Sequence, residues 1–273
     1  MPQPRASTQK LLFPEHELAQ VTVYEQPLNE RVRCFLRLEY LFLSVAESMQ
    51  GETPRTARNA IAGMIDISDQ LSRTDVKGEL IKEIERHVAT IGALRDNPGV
   101  NPGVLEHTLA RLEPLVAGLK SNACQPGAKL RQNDLVTQIR QRLAIPGGLC
   151  SFDLPAFHHW LSRDHQRRSA LLNEWMADLR AIEDAVAITL KMIRESARPQ
   201  PYTAIGGFYQ QTLEANSACH LVRVSVADED EVFAEISGGK HRFAVRFMRN
   251  AELGARPQQS TDPIDFELQC CAL

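Results

Sequence analysis

No run of about 18 consecutive apolar residues occurs in this 273-residue chain, so no segment has the length of a membrane-spanning helix. Cysteine is sparse and scattered, at 34, 124, 150, 219, 270 and 271, with no C-x-x-C pair and no metal-ligand rhythm. That spacing excludes a disulfide framework or a zinc module and predicts reduced thiols in a cytoplasmic protein without a metal site. The polar stretch Met1 to Lys10 has no apolar core, so a signal peptide is not expected. Cys270-Cys271-Ala272-Leu273 has the outline of a prenylation box, but no polybasic run precedes it and the Cys pair closes a strand pattern. Phosphate-cradling motifs are missing: there is no G-x-x-x-x-G-K-[ST], and Gly206-Gly207 and Gly238-Gly239 are isolated pairs. There is no H-E-x-x-H, and His158 and His159, being adjacent, point about 100° apart on a helix. Lysine is scarce as well, seven of 31 basic residues, and the net charge of -3 disfavours a generic nucleic-acid binder.

What is present reads as a globular chain, with 43% hydrophobic and 24% charged residues. Residues 1–20 lack periodicity and are expected to form a mobile extension. Val21 to Gln26 is a short β-like run stopped by Pro27. From Asn29, a candidate N-cap, apolar residues recur at helical spacing: Val32, Phe35, Leu36, Phe42, Leu43 and Met49. Gly51 closes that helix and Pro54 opens a second, to Leu71. Asp75 begins a third, which ends at Asn97-Pro98-Gly99. A fourth spans Val104 to Leu119 despite Pro114, and a fifth Leu130 to Leu143, stopped by Ile145-Pro146-Gly147-Gly148. Ser151 or Asp153 is the expected cap of a short helix through Trp160. Arg167 to Arg198 is the longest helical run. The period then changes to two: Val222, Val224 and Val226, then Phe243, Val245 and Phe247, then Ile264, Phe266 and Leu268, each alternating with polar residues. The expected fold class is α+β, a mainly helical domain over 21–200 with a small antiparallel β domain over 201–273, which the 21–26 strand is able to join.

Candidate chemistry is thin. Cys150 with Ser151, Asp153 and His158 nearby is the one nucleophilic constellation, and Cys150 after a Gly turn reads instead as a buried structural thiol, with Ser or Asp as helix caps. Gly147 and Gly148 read as backbone requirements of the turn. Asp228-Glu229-Asp230-Glu231 reads as a solvated hairpin tip. The arginines are more informative, 24 of them against seven lysines. Arg33, Arg37, Tyr40 and Ser44 share the stripe opposite the apolar face of the first helix. Lys240, Arg242 and Arg246 fall on the parity opposite Phe243, Val245 and Phe247, so they line the other face of the sheet and point to an anionic partner. Arg140 and Arg142 flank the Pro-Gly-Gly turn, and their spacing sends them to different faces.

Six ordered segments carry a resemblance: Tyr24-Glu25-Gln26-Pro27-Leu28-Asn29-Glu30, Gln141 to Gly148, Ser151-Phe152-Asp153-Leu154-Pro155, Gly207-Phe208-Tyr209-Gln210, His241 to Met248, and Asp265-Phe266-Glu267-Leu268 before the Cys pair. From Val21 to Cys271 the chain resembles the ZapD family of bacterial cell-division proteins. The resemblance implies a helical domain plus a β domain, a homodimer, no catalysis and no cofactor. It further implies a cytoplasmic factor recruited to the mid-cell division ring, where it binds the tubulin-like GTPase FtsZ through its C-terminal tail and bundles its filaments. Carried over by position, the family's cationic residues match Arg33, Arg37, His158, Arg242 and Arg246, and the surrounding patch adds Lys240 with Arg140 or Arg142. The chain departs from the family in its first twenty residues, in the two residues after the Cys pair, and at Asn133-Asp134, where relatives tend to be more basic. An Arg-patched nucleic-acid-binding protein is the alternative from another class, and a thiol enzyme using Cys150 the third.

Overall fold

The two periodicities become two units in the computed structural model, which describes residues 21–95, 97, 99, 101–214, 219–227, 232–249 and 256–272. The 1–20 extension, the Asp228 to Glu231 acids and Leu273 lie outside the described residues, as does Pro98 of an expected turn. Among the described residues one unit comprises 27–197 with 219–221 and 271–272, and the other 21–26, 198–214 and 222–270. The architecture is α+β.

In the helical unit each start follows from a short polar side chain that satisfies free backbone N–H groups. Asn29 Oδ1 accepts from Val32 N at 2.8 Å and opens α1 (Glu30–Gln50). Thr53 accepts from Thr56 N at 3.1 Å, with Pro54 in the first turn of α2 (Pro54–Arg73). Asp75 accepts from Gly78 N at 3.0 Å before α3 (Val76–Gly92), and Asn101 caps α4 (Pro102–Lys120), which continues through Pro114. The fifth expected helix is two, α5 (Ala128–Gln132) and α6 (Asp134–Leu143). Asn133 divides them because its side chain caps the second at Val136 N, 3.1 Å, with its backbone extended. After α7 (Pro155–Leu161), the long run from Arg167 also divides, into α8 (His165–Ala177) and α9 (Arg180–Glu195). The break lies at Asp178-Leu179, where Leu179 is buried and the Asp178 carboxylate accepts from Lys129 N at 3.1 Å.

α1 packs on α2 and α9 through Val32, Phe35, Leu38, Phe42 and Val45, each burying apolar area worth roughly 1.5–3 kcal/mol. Leu38 and Val45 complete the stripe, the expected Leu36 and Met49 are partly buried and pack against the same core, and the expected Leu43 is 65% exposed. The stripe begins at Val32 and follows the helical repeat to Val45, which turns Leu43 outward. Glu39 on the flank of α1 accepts both guanidinium nitrogens of Arg194 on α9, at 2.7 and 2.6 Å.

The β unit holds two four-stranded sheets. One runs β1 (Val21–Pro27), β4 (Cys219–Ala227), β8 (Ile264–Ala272), β2 (Gln200–Ala204). The other runs β3 (Phe208–Thr212), β6 (Arg242–Arg249), β5 (Val232–Gly238), with β7 (Gln258–Gln259) also on β6. β2 and β3 are joined by Gly206-Gly207, both at positive φ (58° and 65°), the conformation a two-residue hairpin turn with the native twist requires. The inner faces meet through rings from both sheets: Phe247 and Phe266 have centroids 5.0 Å apart, and Tyr209 and Phe266 5.3 Å.

Candidate functional site

The cations expected from the sequence divide by whether an internal acid already holds them. Arg33 is only half exposed and is bound by Glu30 one turn earlier. Arg140 reaches Asp69 on α2 at 3.2 Å, and Arg142 reaches Asp153 at 2.8 Å, two different faces as their spacing predicts. Arg37, His158, Lys240, Arg242 and Arg246 are exposed and form no ion pair among the described residues.

In the β unit the alternation of β6 does the placing. Phe243, Val245 and Phe247 are buried, so Arg242 and Arg246 stand on the outer face. Lys240 and the two arginines line a groove with Phe208 and Gln210. Register fixes the neighbours: Arg246 lies opposite Phe208 of β3 and Glu235 of β5, and Arg242 opposite Thr212. Glu235 is the one acid beside these cations along the two pairings, so the groove is net positive among the described residues.

In the helical unit Arg37 stands on the outer face of α1 beside Tyr40, which is 73% exposed. His158 is exposed on α7 and lines a separate cavity with Arg58 and the 145–151 turn. The turn is built as the glycines predict. Gly147 has φ of 73°, and a Cβ on Gly148 would lie 2.6 Å from the Arg142 carbonyl oxygen. α7 is capped differently from the expectation. Its N-cap is Leu154 with no side-chain bond, Pro155 has no N–H in the first turn to need an acceptor, and Asp153 is committed to Arg142.

Cys150 is a correction: it is exposed, not buried, and its thiol donates to Gly147 O at 2.6 Å. No hydrogen bond joins it to His158 among the described residues, and Asp153 faces Arg142, so a nucleophile–base–orienter chain is not assembled. No group of three metal-ligating side chains occurs among the described residues, and no helix there is long and apolar enough to cross a membrane.

Two residues without a sequence signal shape this region. Arg168 on α8 is 5% exposed and donates to Leu161 O at 3.2 Å, to Arg163 O and to Glu52 O. One guanidinium thus ties the end of α7, which carries His158, to the turn before α2, which carries Arg58. Arg58 lies 100 residues from His158 and Arg168 reads as an ordinary helical arginine, so no motif marks either of them.

A family model described as cell division protein, ZapD, matches residues 36–246. A cell division protein ZapD of Methylococcus capsulatus is 38% identical over 251 residues, 92% of this chain and 98% of the relative. That of Bordetella petrii is 41% identical over 92% of this chain and 99% of its own, and that of Aromatoleum aromaticum 35% over 93% and 98%.

Proposed function

The chain belongs to the ZapD family of cell division proteins, and from that premise we propose that it binds FtsZ, principally the C-terminal tail, and cross-links FtsZ protofilaments at the division ring. The observation that supports this most is the set of four exposed cations, Arg37, Lys240, Arg242 and Arg246, with the exposed His158, none of which forms an ion pair among the described residues. Exposed arginine forks suit carboxylates on a flexible peptide and give a salt-sensitive on-rate. Arg33, Arg140 and Arg142 join such a surface only by exchanging Glu30, Asp69 or Asp153 for the partner's acids.

Bundling needs two copies of the binding surface at fixed separation, which a homodimer supplies, and linked weak sites along a polymer gain by effective concentration. In this reading the protein is a cytoplasmic, non-catalytic factor that reaches mid-cell through FtsZ and needs no cofactor. Sedimentation with FtsZ polymerised in GTP tests it. The protein should pellet with the filaments, electron microscopy should show bundles, and added salt should weaken both, because exposed charges are screened beyond about 8–10 Å. A protein that stays in the supernatant at low salt, or one that shifts DNA instead, would overturn the reading.

A further inference from the structure

Arg58 projects from the exposed side of α2 and, like Arg37, Lys240, Arg242 and Arg246, forms no ion pair among the described residues. It shares with His158 a cavity of about 520 Å³. The rest of the wall is the turn after α6, including Ile145, Ser151 and Cys150, with Leu143 and Leu161 supplying apolar surface. Asp153, next to this turn, is held by Arg142 and leaves the Arg58 charge unneutralised, with His158 beside it as a further hydrogen-bonding group. Ile145 is 49% exposed, so the apolar side faces solvent beside the charge. The two walls are fixed in advance. Arg168 bonds carbonyls at Leu161, one turn after His158, and at Glu52, shortly before Arg58. A cavity held open this way has little ordering left to lose on binding.

We propose that Arg58 is a further partner-binding residue, which with His158 takes a carboxylate of an acidic peptide while a neighbouring aliphatic side chain of that peptide seats against Ile145 and Leu143. This rests on the FtsZ-tail reading and specifies its chemistry. A guanidinium matches a carboxylate in two parallel bonds, which neither Lys nor an isolated His provides. The occupied cavity also covers Cys150, the one exposed cysteine among the described residues.

The test uses a fluorescent synthetic peptide of the FtsZ C-terminal tail, titrated by anisotropy, with alkylation of Cys150 by iodoacetamide followed by mass spectrometry. Arg58→Glu should bind about tenfold more weakly or worse, since attraction becomes repulsion, with an unchanged melting temperature. Arg111→Glu, an exposed cation on α4, should bind as the wild type does. Saturating peptide should slow alkylation of Cys150 severalfold. If the wild type binds but Arg58→Glu binds equally well, or Cys150 reacts at the same rate with peptide present, this inference is overturned and the FtsZ reading stands. If the wild type binds no tail peptide, both fall.

Discussion

Asn29 donates from Nδ2 to Nδ1 of His220 at 2.7 Å across 191 positions of sequence. The direction of that bond is set by the helix it caps: Oδ1 is committed to Val32 N, so only the amide nitrogen faces the imidazole. His220 must therefore keep a lone pair on Nδ1 and its proton on Nε2, which is buried without a partner among the described residues. Its carbonyl accepts from Leu28 N at 2.9 Å, a second tie to the same turn.

That relationship gives the fold an acid-sensitive point. Burial first, then the nearby Arg31 and Arg86, lower the His220 pKa, with Glu83 partly offsetting them. Burial likewise lowers His87, where Glu83 opposes and Arg86 assists. Both groups take a proton more readily in the unfolded chain. Stability is then full above the unfolded histidine value of about 6.5 and falls as pH drops below it. Melting temperatures between about pH 7.5 and 5.5 check this. Wild type should lose more than His220→Gln, which keeps an acceptor for Asn29 and cannot titrate. Identical pH slopes would count against the assignment.

Arg168 should be costly to remove. Arg168→Met strands carbonyls at Leu161, Arg163 and Glu52 in a buried site, and a loss of roughly 2–4 kcal/mol is expected in denaturant unfolding. A change under about 0.5 kcal/mol would show that water replaces the guanidinium there.

Charge reversal should separate the unpaired cations from the paired ones. Arg37→Glu and Arg246→Glu should remain folded, shift stability by well under ~1 kcal/mol, and fail to pellet with FtsZ filaments. Arg140→Glu and Arg142→Glu should differ from them in binding. They lose the contacts to Asp69 and Asp153, worth about 0.2–1 kcal/mol each, and still pellet. Equal behaviour of the two groups would mean that internal pairing does not decide which arginines are used.

Gly148 should tolerate substitution less than Gly147. At Gly147 a side chain meets only the strain of positive φ, of order 1–3 kcal/mol, with Cys150 Sγ at ordinary contact distance. At Gly148 a Cβ runs into the Arg142 carbonyl at 2.6 Å and Ile145 Cβ at 2.9 Å, so the whole turn must shift. Thermal melts of Gly147→Ala and Gly148→Ala should rank in that order.

Features decided by adjacent residues were legible in the sequence. Asn29 and Asp75 announce their helices by cap chemistry, and the alternation of Arg242 to Phe247 places its cations outside before any pairing is known. Breaks that depend on distant partners were not. Asp178 ends α8 where its carboxylate meets Lys129 N, 49 residues away, and Asn133 reads equally well inside a helix until its side chain is seen to cap one. The exposure of Cys150 escaped for a related reason: a small apolar residue beside a Gly turn carries no sign of which way it points. Arg58 and Arg168 are ordinary helical arginines by pattern, and only the packing of α2 against α7 and α8 gives them different roles.

The strand order β1-β4-β8-β2 puts the last strand of the chain in an interior place of its sheet. As the chain leaves the ribosome, β2 and β4 emerge with an unfilled slot between them, each showing an unsatisfied backbone edge of the kind that invites wrong pairing. Residues 264–272 close that slot, and β2 gains its register partners, such as Tyr202 on Phe266, only then. Completing this sheet is therefore a long-range event, in which residues 264–272 must find a place between strands that lie about 40 or more positions earlier, whereas the helical turns close on neighbours in sequence.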